Sequence, residues 1–190
     1  MHTPGDIALF DRFARLYGAL MPAANDRPLR AGLALAERDV ERVLDVGGGT
    51  GRAARAVDAP VRVVVDPSAG MLAGARAAGL DCVRADGAAL PIPAASVDAV
   101  VIVDALHHVA DQTGLLDETR RVLRPGGVLV VREFDRATLP GRALVAAEHL
   151  VGFDSQFFTP EELAARVERA GLDAAVPDRG FGFTVVGIAR

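Results

Sequence analysis

The ten residues Val43-Leu44-Asp45-Val46-Gly47-Gly48-Gly49-Thr50-Gly51-Arg52 restrict this chain more than any others. Val43, Leu44 and Val46 suit a buried strand. The glycines that follow supply positions where φ can be positive and where no Cβ keeps a ligand off the backbone. Arg52 to Val57 is a good helix former, with Thr50 placed to cap it. A strand, a tight turn and a helix start therefore follow one another, and the free N–H groups and positive dipole end of the helix face the glycine turn. Such a turn suits an anionic or strongly dipolar small ligand.

The glycines fit two registers. Gly49-x-Gly51-x-x-Ala54, with Asp66 ending the next apolar run from Val61 to Val65, meets the dinucleotide-binding fingerprint expected of an NAD(P)-dependent oxidoreductase. Asp45-x-Gly47-x-Gly49-x-Gly51 is the other register, and the rest of the chain has to decide.

Read in order, Ile7 to Tyr17 carries apolar residues at helical spacing, and Pro28 to Arg38 predicts a second helix entered from Asn25-Asp26. After the glycine turn the pattern alternates. Strand Val61 to Val65 leads to helix Ala69 to Ala78, and strand Asp81 to Ala85 leads to a loop held open by Pro91 and Pro93. The buried run Val97 to Val103 leads to helix Leu115 to Leu123, and Pro125-Gly126-Gly127 turns the chain into strand Val128 to Val131. Phe134 to Pro160 is expected as a substrate-side loop, followed by helix Glu161 to Ala170 with Thr159 as cap and strands Leu172 to Val176 and Phe181 to Ala189. Strand-helix alternation implies a doubly wound α/β sheet with helices on both faces. Asp45, Asp66, Asp86 and Asp104 then end successive strands at the carboxyl edge, where open α/β sheets bind ligands.

Composition excludes several chemistries. All 21 basic residues are arginine, so no mechanism that needs a lysine amine is open: no P-loop lysine, no Schiff base, no Tyr-x-x-x-Lys pair. A net charge of −4 offers no basic face, which argues against nucleic acid as a partner. The single Cys82 has neither a disulfide partner nor a metal-ligand companion, and no apolar run reaches membrane-spanning length. A cytoplasmic protein with no membrane span, monomeric or homodimeric and acting on a small-molecule substrate, is the expectation.

Five stretches, in this order, resemble the class I S-adenosylmethionine-dependent methyltransferases. They are Val43 to Arg52, Asp66-Pro67-Ser68-Ala-Gly-Met71-Leu72, Ala85-Asp86-Gly87-Ala-Ala-Leu90-Pro91-Ile-Pro93, Ala105-Leu106-His107-His108-Val109 and Arg121-Val122-Leu123-Arg124-Pro125-Gly126-Gly127. Together they are similar to the ubiquinone and menaquinone C-methyltransferase branch, with weaker echoes at Phe10 to Tyr17 and Phe158 to Leu163. The resemblance implies a Rossmann-like, mostly parallel seven-stranded sheet with an antiparallel last strand. It also implies one domain over 1–190: an N-terminal helical cap over 1–40, a cofactor-binding core over 41–135, and a substrate-side loop with C-terminal strands over 136–190.

The resemblance implies S-adenosyl-L-methionine as cofactor and a role for each matching position. Gly47, Gly48 and Gly49 would approach its amino-acid end, with Asp45 on the ammonium side. Asp66 would accept from both ribose hydroxyls, Pro67 and Met71 would pack on adenine, and Asp86 with Gly87 would meet the exocyclic amine. Asp104 and Leu106 would line the methionine moiety, and Tyr17 would close over it. Methyl transfer is an in-line displacement whose leaving group departs neutral, so a base matters only for a protonated nucleophile. His107 is the candidate base, with His108 beside it. Asp135, Arg136, His149 and the phenylalanines of Gly152 to Phe158 fall where acceptor contacts belong, and a small apolar, quinol-like acceptor is expected. The span from Phe134 to Pro160 is shorter than the cover usual in the quinone branch. A non-catalytic adenosyl-binding protein carries the same cofactor motifs.

Overall fold

A computed structural model describes residues 26–190. The helix expected over 7–17, and Tyr17 with it, lies outside the described residues.

The sheet is built outward from β1 (Arg42–Val46), with β2 (Val61–Asp66) on one side and β4 (Val97–Val103) on the other, both parallel to it. β3 (Asp81–Arg84) pairs with β2, and β5 (Leu123–Phe134) pairs with β4. β7 (Gly182–Ala189) runs antiparallel between β5 and β6 (Leu172–Asp178), giving seven strands in the order 3-2-1-4-5-7-6. This is the Rossmann-like, mostly parallel sheet with an antiparallel last strand. The strand order reverses between β1 and β4, so a crevice opens at their carboxyl ends.

Two apolar layers hold the sheet, and the period-two alternation of strands assigns residues to them. Leu44, Val46, Val100 and Ile102 point to one face, towards Leu115, Leu116, Leu163 and Val167 of α4 (Gln112–Val122) and α6 (Pro160–Arg169). Val43, Ala99 and Val101 point to the other, towards Leu29 of α1 (Asp26–Leu33) and Ala53 of α2 (Arg52–Ala56). Because both faces are covered, β4 is apolar almost throughout. On the outer strands, α3 (Ala69–Ala77) places Leu72 and Ala75 against Val64.

Several elements depart from the sequence-based expectation. α1 stops at Leu33, short of Arg38. Thr50 does not cap α2: the helix follows Gly51, whose φ is 77°, and the amide of Ala54 is satisfied by Oδ2 of Asp45 at 2.9 Å. Pro125-Gly126-Gly127 is not a turn before a separate strand. It is an irregular stretch inside β5, where the register against β4 jumps from Val97↔Leu123 to Ala99↔Val128. The expected loop after β5 contains a helix, α5 (Leu139–Leu150), capped by the Thr138 hydroxyl and started by Pro140. Its signal was present in Thr138-Leu-Pro140 and the run Ala143 to Glu148, but only Gly141 of it is buried, so no apolar stripe announced it.

The opposite edge of the sheet is tied by Asp98, which sequence reasoning passed over inside an apolar run. Its buried carboxylate accepts from the Glu41 and Arg42 amides at 3.2 and 2.9 Å, and meets Arg124 and Arg38, each at 2.9 Å. Burial alone would raise its pKa, but these donors outweigh it and hold the carboxyl below its ordinary value. Its stabilisation is therefore complete above that ordinary value and is lost only as the pH falls towards the lower native one. Asp98→Ala leaves two arginines and two amides without their acceptor and should cost about 3 kcal/mol. Urea unfolding measures this as a lower midpoint with unchanged slope.

Candidate cofactor and acceptor site

The crevice at the carboxyl ends of β1, β2 and β4 is a cavity lined by Asp45, Gly47 to Ala53 without Gly51, Asp66 to Ser68, Met71, Val103 to Ala105 and His108. Each wall has a local cause. Gly47 and Gly49 take φ of 69° and 55°, which lets the chain turn out of β1. At Gly48 the constraint is closeness: a Cβ there would lie 2.4 Å from the Asp45 carboxyl carbon. Asp66 fixes the rim by accepting from the Gly49 amide through Oδ2 at 2.9 Å and from the Ser68 amide through Oδ1 at 2.8 Å. Ser68 in turn caps α3 by accepting from the Met71 amide, which sets Met71 against the turn.

Three carboxylates and one guanidinium give the cavity its charge. Asp45 is 1% exposed, and its Oδ1 is buried without a hydrogen-bond partner. Burial, helped by the negative charge of Asp66, pushes its pKa up to about 7 against the Ala54 amide and the Arg52 and Arg55 charges. Asp104 takes a φ of 51°, a left-handed conformation that a non-glycine residue adopts at a cost. Burial and then Glu133 raise its pKa, although Arg52 stands 4.0 Å away.

Of the expected site residues, the fold brings Asp45, Gly47, Gly48, Gly49, Asp66, Pro67, Met71 and Asp104 to this one cavity. Asp86 and Gly87 do not line it. Asp86 accepts from the Ala88 amide at 3.0 Å, and a Cβ on Gly87 would collide with Leu115 and Val46, so this glycine is required by packing. Leu106 is wholly buried in the core. His107 does not line the cavity either: it is 2% exposed, its Nδ1 lies 2.6 Å from Glu133 Oε2, and its ring stacks on Phe157 at 4.3 Å. Burial opposes its charge, but Glu133, then Glu148 and Asp104, overcome that and raise its pKa. The histidine presented to the cavity is its neighbour His108. Arg52 and Ser68 are wall residues that carried no role at the sequence level, and His108 stood there only beside the candidate base. Arg52 was legible as the first residue after the turn, but the side-chain directions of the adjacent histidines were not.

A second cavity lies between α5 and the segment before α6, lined by Arg136, Ala137, Arg142, Val145, Ala146, His149, Ser155, Gln156 and Phe157. Hydrogen bonds join the two cavities. Ser155 Oγ is 3.3 Å from His108 Nδ1 and also donates to Glu148, and the Gln156 amide donates to the His107 carbonyl at 2.7 Å.

Residues 44–131 match the family described as a methyltransferase domain, with Asp45 and the glycines at its start. A demethylmenaquinone methyltransferase of Mycobacterium sp. (strain KMS) is 32% identical over 201 residues, covering 94% of this chain and 86% of that protein. The chain belongs to the S-adenosylmethionine-dependent methyltransferases. A demethylmenaquinone methyltransferase of Clavibacter sepedonicus is 37% identical over 150 residues, 72% of this chain and 61% of that protein, which is less than two thirds of its length. Among solved structures, a methyltransferase from Thermotoga maritima, described as a possible histamine N-methyltransferase, shares the fold. It has a TM-score of 0.80 and 24% identity over 96% of this chain and 99% of its own. The register of the glycines is thus the methyltransferase one. The chemistry of the cavity fits that cofactor: Asp45 on its wall has a buried oxygen with no hydrogen-bond partner, which a cationic group of a ligand would satisfy. Among the described residues, no helix of this methyltransferase is long and apolar enough to cross a membrane.

Proposed function

We propose that this methyltransferase methylates a small, largely apolar acceptor of the quinol type, held in the second cavity. The observation that carries this reading is the link between the cavities through Ser155 and His108, by which an acceptor held in the second would lie beside the cofactor. Val145, Ala146 and Phe157 suit an apolar ring, while Arg136, Arg142 and His149 offer donors for its oxygens. The relatives named for demethylmenaquinone support the same class.

When bound, S-adenosylmethionine supplies an electrophilic methyl on a sulfonium and leaves as a neutral thioether. The chain's part is to bind, align and exclude water. Asp45 would hold the ammonium, with the backbone of Gly47 to Gly49 against the amino-acid end of the cofactor. Asp66 would accept from the ribose hydroxyls, and Pro67 and Met71 would cover the adenine, while Asp86 and Gly87 stand outside the cavity wall. Asp104 would face the methionine part, with Leu106 packed behind it, and the role expected of Tyr17 lies outside the described residues. His108 is the imidazole next to the acceptor, and His107 supports it from the core, a positioning role in place of the direct base expected from sequence. Incubation with methyl-labelled cofactor and either a demethylated naphthoquinol or small amines tests the acceptor. Label is expected in the quinol, and label in amines alone would sink this reading.

A further inference from the structure

We propose that His107, His108 and Glu148 form a site for a divalent transition-metal ion, of the zinc type, on the wall between the cofactor cavity and the second cavity. One potential ligand atom from each residue lies within 4.8 Å of the others, the one such cluster that includes a histidine among the described residues. The short helical turn Leu106–His108 brings the two rings together, with centroids 4.1 Å apart, and α5 lays Glu148 over them. His107 Nε2 stands 3.8 Å from Glu148 Oε1. Ligands at about 2.1 Å around a tetrahedral ion are about 3.4 Å apart, so His107 and Glu148 need to approach by only a few tenths of an ångström, and no pair of the three by more than about 1.4 Å.

What distinguishes the cluster from a chance meeting of polar side chains is that His107 is held from behind and one serine hydroxyl ties the other two together. Glu133, itself 1% exposed, takes Nδ1 of His107 at 2.6 Å and the His107 amide at 3.3 Å, which leaves Nε2 aimed at Glu148. A metal-binding imidazole is normally oriented by such a carboxylate. The Ser155 hydroxyl bridges the other two, to His108 Nδ1 and Glu148 Oε2. Two imidazoles and one carboxylate select zinc or its transition-metal neighbours over magnesium or calcium, which prefer oxygen throughout.

Three protein ligands leave coordination open. Since His108 lines the cofactor cavity and Ser155 lines the second one, an acceptor oxygen or nitrogen is the group placed to complete the shell. That consequence rests on the second cavity holding the acceptor; the ion site does not.

The test is a titration of chelator-treated full-length protein with Co2+, followed by its visible absorption, and with Zn2+ by calorimetry. Glu148→Gln and Ser155→Ala are measured alongside, and S-adenosylhomocysteine affinity serves as the check that each variant is folded. One Co2+ per chain with tetrahedral bands, displaced by Zn2+, is expected. Glu148→Gln, on a mostly exposed helix, should weaken binding at least tenfold with the adenosyl affinity unchanged. Failure to saturate at one ion per chain, or equal binding by folded Glu148→Gln, would overturn the site and leave an ion-paired histidine. Ion binding without naphthoquinol methylation would sink the acceptor reading alone, and methylation without ion binding would sink the metal site alone.

Discussion

Asp66→Ala is expected to weaken S-adenosylmethionine binding at least a hundredfold. The carboxylate ends β2 at the cavity rim, 8% exposed, and holds the Gly49 and Ser68 amides at 2.9 and 2.8 Å. In the proposed complex it also accepts from both ribose hydroxyls. Hydrogen bonds to a charged group contribute about 1.5–3 kcal/mol each, so losing two costs about 3 kcal/mol or more, which is two powers of ten in affinity. Alanine also releases the glycine turn, which adds to the loss. Calorimetric titration measures the affinity, and a thermal melt shows whether the variant is folded. A folded variant with undiminished affinity would remove Asp66 from the ribose site.

Cofactor affinity should rise with pH and level off near neutrality, with Asp45 as the cause. Its pKa in the free protein is pushed up to about 7 from an ordinary 3.8, first by burial and next by Asp66. A bound ammonium favours the carboxylate form, so below about pH 7 binding must release a proton, and affinity gains up to about tenfold per pH unit on the way up. Asp45→Asn should flatten that profile and bind more weakly at about pH 8, where the charge is missing. The free protein should respond in the opposite sense. A native pKa above the unfolded one favours folding below the unfolded value, and that contribution is lost as the pH rises through the native value. Above about pH 7 the buried, half-satisfied carboxylate is a liability, and Asp45→Asn should stabilise the cofactor-free protein by as much as about 4 kcal/mol. Denaturant unfolding at acid and alkaline pH checks the sign. A variant that loses stability at alkaline pH would show that Asp45 is not held as a strained carboxylate.

The gain at Asp45 and the loss at Asp66 belong to one design. Asp66 has amide donors on both oxygens, so its charge is stabilised before a ligand arrives. Asp45 spends one oxygen on the Ala54 amide and leaves the other buried without a partner. The first carboxylate builds the site; in the proposed complex the ligand would complete the second.

What the sequence determined by itself is local in origin. A glycine run after an apolar strand has few conformations open to it, and aspartates that end buried strands must emerge at the sheet edge. The turn and the doubly wound sheet were therefore legible from residue pattern, and the gathering of Asp45, Gly47 to Gly49, Asp66, Pro67, Met71 and Asp104 from the family resemblance of the ordered motifs. Tertiary structure decided the rest, because it depended on partners distant in the chain. Whether His107 or His108 meets the cavity turns on Glu133, 26 residues away, which draws His107 into the core. The cap of α2 came from Asp45, nine residues back across the turn, in place of the nearby Thr50. Asp98 reads as an interruption in an apolar strand until Arg38, Arg124 and the amides of β1 close around it. α5 has no buried stripe, so its place over the histidines follows from the segment that precedes α6 and from the Ser155–Glu148 contact. Periodicity reports which face of an element is buried, whereas a polar side chain takes its direction from the partner that neutralises it, and only the folded chain brings that partner near.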